Sequence, residues 1–145
     1  MLNYILQKSM DQGLIYLLDK LTYRRKLKVL LSEIRYNYRL FEFINIDETK
    51  NQIVFLPFHN DVYKYLINSD FNFSKLKQKF DQLINLLDNL YIKIDLVTAY
   101  WLINEKNSFS PNNKAFIKNV RLNVRMNNIK AELDLIAKIL NDNIK

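Results

Sequence analysis

The one histidine of the chain stands in Pro57-Phe58-His59-Asn60-Asp61, where a carboxylate two residues on could orient it as a general base. A lone loop histidine just ahead of a helix start is expected instead at the surface or at the cap. The Arg-to-His spacing of HEPN-type ribonucleases does not precede it, and the Glu-x-x-His pairs of di-iron bundles do not occur. With one His and no Cys, two-histidine zinc sites, thiolate metal sites, thiol nucleophiles and disulfides are all excluded. A single Gly rules out the glycine-rich loops of P-loop and dinucleotide folds, which need backbone amides unobstructed by Cβ. Asp81, Asp88 and Asp95 recur every seven residues, about 10 Å apart along a helix, too far to share one metal. Glu33, Arg35 and Arg39 are the remaining set close enough to assemble a reactive site. No enzyme, metal, cofactor or small-molecule substrate is expected.

Positive charge is what the sequence does concentrate. Lys20, Arg24, Arg25, Lys26, Lys28, Arg35 and Arg39 are opposed by Glu33 alone and account for nearly all of the net charge of +7. Tyr23, Tyr36 and Tyr38 are interleaved with them. Cations that pair with phosphates and tyrosines that stack on bases make this a nucleic-acid-binding face, with Lys20, Tyr23, Arg24, Arg25, Lys26, Lys28, Arg35 and Arg39 as its candidate residues. An anionic membrane surface suits the same cluster, because it follows an amphipathic stretch. A solvated helix face with no partner is the plainest alternative.

A second basic set, Lys114, Lys118, Arg121 and Arg125, is spaced four, three and four, a stripe that taken alone could track a phosphate backbone. Folding the C-terminal half into a hairpin about Phe109 brings Asp95 toward Arg121 or Arg125, and Asp88 toward Arg125 or Lys130. Interhelical ion pairs are therefore expected to absorb this second stripe and to help fix register.

The elements that must carry these residues are read from periodicity. Leu76, Phe80, Leu83, Leu87, Leu90, Ile94, Val97 and Trp101 alternate intervals of four and three, which predicts one long helix from Ser74, its cap, to about Asn104. After the break around Asn107–Asn113, Ser110 and Pro111 read as N-cap and first helical residue. Leu122, Met126, Ile129, Leu133, Ile136 and Leu140 then predict a helix running unbroken to about Asn141. The N-terminal third reads as a single rod from Asn3 to Asn45 with the stripe Met10, Leu14, Leu17, Leu21, Leu27, Leu31, Ile34, Tyr38 and Phe41; lone Gly13 weakens it without ending it. Between rod and hairpin, Asp47–Asn51 is a loop and Gln52–Phe58 is β-prone but without a second strand, so the stretch near 46–60 is expected to lie extended. Asn60 or Asp61 caps a short helix, Val62–Ile67. The fold class is all-α: an antiparallel bundle of three long helices plus one short helix, a single domain over residues 1–145.

At 1.5 Å per residue the rod would be roughly 60 Å long against roughly 45 Å for the hairpin helices, so its first turns overhang. They carry Leu2, Ile5, Leu6, Met10, Leu14 and Leu17, whose cover could be a second copy of the chain, the short helix or a lipid surface; self-association is the commonest solution, so a homo-oligomer through the N-terminal helix is expected. No apolar run approaches the ~20 residues that span a bilayer, and a cytoplasmic protein is expected.

Leu30-Leu31-Ser32-Glu33-Ile34-Arg35-Tyr36-Asn37-Tyr38-Arg39-Leu40, then Phe55-Leu56-Pro57-Phe58, then Asp81 to Ile94 form a series. It resembles a group of uncharacterised small prokaryotic helical-bundle proteins with a Leu-x-Glu-Ile-x-x-Asn-type helix, a Leu-Pro segment before a short helix and a closing hairpin. The resemblance spans Leu30 to Trp101. Such proteins often carry an N-terminal transmembrane helix ahead of a basic patch, and this chain departs from them there, since Leu2 to Leu21 is too polar to span. The resemblance implies that Lys20–Lys28 sits where a juxtamembrane patch would, and it implies no catalytic residues.

Overall fold

In the computed structural model, which describes residues 12–69, 71, 80–106 and 112–144, the chain is mostly helical with one small two-stranded sheet. A helical segment over 12–19 leads into α1 (Tyr23–Arg39), which ends in a 3₁₀ turn, Leu40–Glu42. Strands β1 (Asn45–Asp47) and β2 (Gln52–Val54) follow, then α2 (Asp61–Asn68), α3 (Phe80–Lys106), α4 (Asn113–Asn119) and α5 (Leu122–Ile144). The expected features at residues 2–11, at the Ser74 cap and Leu76, and at Ser110 and Pro111 lie outside the described residues, as do the side chains of Phe80 and Asp81.

The expected single rod is two pieces. The amides of Lys20 and Leu21 bond back to the carbonyls of Leu17 and Leu18, and Thr22 turns extended (φ −66°, ψ 161°) to cap α1, its hydroxyl accepting from the Arg25 amide at 3.4 Å. β-Branched Thr at the cap, not Gly13, ends the helix. The break resets the helical phase, so that Leu18 is buried while Leu17, on the expected stripe, is exposed.

The C-terminal helix is likewise divided. Arg121 adopts a left-handed conformation (φ 52°) between α4 and α5. Ile117 and Leu122 are five residues apart, which on one helix would point them about 140° from each other. The break lets both face the core. Arg125 seals it: its Nε donates to the Val120 carbonyl at 2.6 Å, and its guanidinium lies 5.3 Å from the Tyr100 ring centroid.

Packing follows the expected stripes from there on. Leu122, Met126, Ile129, Leu133, Ile136 and Leu140 of α5 are buried against Leu83, Leu87, Leu90, Ile94 and Val97 of α3 and Leu27, Leu30, Leu31 and Ile34 of α1. Trp101 leaves the core and stacks instead on Phe55, 5.3 Å between centroids. Residues 52–54, expected to lack a partner strand, pair antiparallel with β1 in the register Asn45↔Val54, Ile46↔Ile53, Asp47↔Gln52. The turn is built by Asp47, whose carboxylate accepts from the Thr49 hydroxyl and the Lys50 amide and is thereby held below its usual pKa range, and by Asn51 at φ 52°. Asn51 also caps α4 from outside, accepting the Lys114 amide at 2.6 Å.

Among the described residues, Asp88 and Asp95 of α3 do not meet the cations of the last helices. Asp88 accepts from the Tyr63 hydroxyl, and Asp95 accepts from Asn60 Nδ2 at 3.3 Å, so both are turned toward α2. The ion pair that ties α3 to α5 is Lys93–Glu132, which the sequence did not single out.

Candidate nucleic-acid interface

At 100° per residue, Arg24, Lys28, Ser32, Arg35 and Arg39 fall within about 80° of arc on α1, with Arg25 on its edge. All six are exposed. Most of the remaining helix surface is buried, apolar at Leu27, Leu30, Leu31 and Ile34 and polar at Glu33 and Asn37, so local amphipathicity is what lines these cations up. No acidic side chain pairs with any of the five cations among the described residues.

The arc borders a groove of about 620 Å³ between α1 and α5. Arg35 and Arg39 form one wall with Ser32, and Asp134, Lys138 and Asn141 form the other; Tyr38 and Ala137 complete the lining. Arg35 Nη2 donates to Asn141 Oδ1 at 3.3 Å. Lys138 is tied to Asp134 at 2.9 Å, which raises its pKa further. Lys130 lies 5.8 Å from the Tyr38 ring centroid and 5.9 Å from that of Phe41, adding a cation beside the tyrosine. Three cations face one carboxylate in the groove, a composition suited to phosphate oxygens.

Other candidates are placed elsewhere. Tyr23 turns inward and stacks on Phe71 at 4.5 Å, 10° between planes. Its hydroxyl is buried with no hydrogen-bond partner among the described residues, and burial pushes its pKa up to about 12. That ring offers no face to a base. Lys26 is half-buried and held by Tyr65, 3.4 Å from its hydroxyl and 5.5 Å from its ring centroid. Lys20 sits in the inter-helix turn against Tyr16. Tyr36 and Tyr38 remain partly exposed.

Glu33 does not join Arg35 and Arg39. It points to the far side of α1, where Oε1 accepts the Val62 amide at 2.9 Å and Oε2 accepts the Tyr63 amide at 3.1 Å and the Tyr91 hydroxyl at 2.7 Å. It thus caps α2 in place of Asn60, whose own side chain makes no cap bond. Burial pushes the Glu33 pKa up; the bonds from Tyr91, Val62 and Tyr63 pull against that, and the Asp61 charge adds to it. Tyr63 and Tyr91, stacked 3.9 Å apart, are also driven above the usual tyrosine range, first by burial and then by Asp88 and Glu33. One turn beyond Glu33, buried Asn37 grips the His59 backbone. The imidazole is exposed and stacked on Tyr36 at 4.1 Å, and no hydrogen bond joins it to Asp61 among the described residues.

Sequence reasoning missed Asp134, Lys138 and Asn141 as groove residues, and Lys130 as a neighbour of Tyr38; all come near only because α5 packs against α1. No helix of the described residues is long and apolar enough to cross a membrane. Compared with family models, with curated proteins and with solved structures, the chain matches none.

Proposed function

We propose that this chain is a non-enzymatic nucleic-acid-binding module of the cytoplasm, in which α1, α3 and α5 act as an antiparallel three-helix scaffold for the basic arc of α1. The observation that carries this reading is the alignment of Arg24, Arg25, Lys28, Arg35 and Arg39 on one exposed side, with no acid of the described residues paired to them. Such a surface tracks phosphates and releases condensed counterions on binding. The revised contact set drops Tyr23 and Lys26, which the chain itself engages, and keeps Tyr38 as the stacking residue beside the groove.

Fluorescence anisotropy with a labelled oligonucleotide across a salt series tests it. Affinity falls steeply with salt, and replacing Arg24, Arg25 and Lys28 by Ala flattens the slope by roughly one unit per lost phosphate contact. Binding that is absent or insensitive to salt removes the reading.

A second reading has its own observation. Ile15, Tyr16 and Leu17 are 46%, 60% and 62% exposed just ahead of Lys20. Apolar residues followed by cations suit an anionic lipid surface, and the same residues are the proposed contact for self-association. Flotation with anionic liposomes checks the former and light scattering the latter, each with Ile15 and Leu17 replaced by Ser.

A further inference from the structure

Resting on the nucleic-acid reading, we infer that the α1/α5 groove selects single strands over duplexes, taking one unstacked nucleotide with its phosphate between Arg35, Arg39 and Lys138 and its base against Tyr38. The first reason is shape. A lone helix, 10–12 Å across, enters the roughly 12 Å major groove of B-DNA, but two helices packed side by side at about 8–10 Å between axes do not. Here α1 is flanked by α5 on one side and by α2 on the other, so the basic arc cannot be inserted.

The second reason is volume and lining. About 620 Å³ lies within the usual range for small-molecule clefts and suits a single nucleotide rather than a rigid double helix. Tyr38 is 38% exposed, an aromatic surface of the kind on which unstacked bases lie. Asn141 uses its Oδ1 to accept from Arg35, and its Nδ2 has no partner among the described residues, leaving a donor for a base or sugar oxygen. Cation, aromatic ring and amide donor in one cleft match a splayed-out nucleotide, whereas phosphate tracking alone needs only the cations.

Anisotropy of a labelled oligothymidylate of about a dozen nucleotides, free and annealed to its complement, tests the inference. The single strand binds about tenfold more tightly or better at the same salt. Ser32→Trp fills the cleft from an exposed position and Tyr38→Ala removes the ring; each costs single-strand affinity about tenfold and narrows the gap between single strand and duplex, with helical circular dichroism retained. Equal or tighter duplex binding, or a Ser32→Trp protein that binds the single strand as before, overturns single-strand selection while the phosphate-tracking surface stands. Binding of neither probe overturns both.

Discussion

Asn37 and His59 exchange two hydrogen bonds of 2.8 Å: the Asn37 carboxamide donates to the His59 carbonyl and accepts from the His59 amide. The side chain thereby behaves as a one-residue β partner, pinning the irregular segment before α2 to the side of α1 that turns away from the basic arc. Asn37→Ala leaves both backbone groups without that partner in a region where Asn37 itself is fully buried, and a loss of about 2–3 kcal/mol in urea unfolding is expected. Asn37→Asp also destabilises, because one carboxylate oxygen then faces the His59 carbonyl. An Asn37→Ala protein with wild-type stability would show that the loop is held by other means.

Glu33 gives a pH dependence with a definite sign. Its folded-state pKa is raised above the ordinary 4.5, with burial the first cause, so its contribution to stability is fully present below 4.5 and is lost as pH rises through the folded-state value. Glu33→Gln keeps the size, loses the titration and sets an amide donor against the Val62 amide or the Tyr63 amide, at a cost of about 2 kcal/mol. The stability gap between the two proteins is expected to narrow as pH rises from 4.5 toward neutrality. Urea midpoints measured across that range check it, and a widening gap contradicts it.

The Tyr23 hydroxyl is buried with no hydrogen-bond partner among the described residues, so Tyr23→Phe is expected to raise stability by about 1 kcal/mol. Nucleic-acid affinity is expected to stay the same, since the ring is committed to Phe71. Loss of affinity in this variant would return Tyr23 to the binding face.

Arg121 occupies a left-handed conformation that suits glycine better than any residue with a Cβ. Arg121→Gly is expected to stabilise by about 0.5–1 kcal/mol and Arg121→Val to destabilise, both read from thermal or urea unfolding. If Gly and Val behave alike, α4 and α5 are joined as one helix in solution.

The parts of the fold legible beforehand are those where burial repeats locally. Leu122 through Leu140 and Leu83 through Val97 announce their helices because each apolar residue answers to the one a turn earlier. The two breaks were not legible. Thr22 reads as an ordinary helical position until its hydroxyl is seen capping α1, and an arginine at positive φ has no compositional mark. The short β1–β2 pair was missed because three residues a side give no alternation to count, although Asn51 in the turn is the kind of residue that tolerates positive φ. As for the candidate site, Arg24, Lys28, Arg35 and Arg39 were identifiable from the local concentration of charge, because they lie on one helix. The facing wall was not, since Lys138 lies over a hundred positions from Arg35 and only tertiary packing brings it near. Glu33 and Asn37 were visible as chemistry-bearing residues and carry structure instead: the same four-residue spacing that puts them on one side of α1 lets the two together hold the start of α2.

That arrangement makes the eight-residue α2 dependent on a neighbour for its first turn, with Glu33 occupying the two amides that its own Asn60 leaves open. A helix so short and so begun has no autonomous existence in water. Deuterium uptake at Val62 and Tyr63 should therefore proceed at the pace of the Leu30 and Ile34 amides, making the short helix and the long one a single cooperative unit in unfolding.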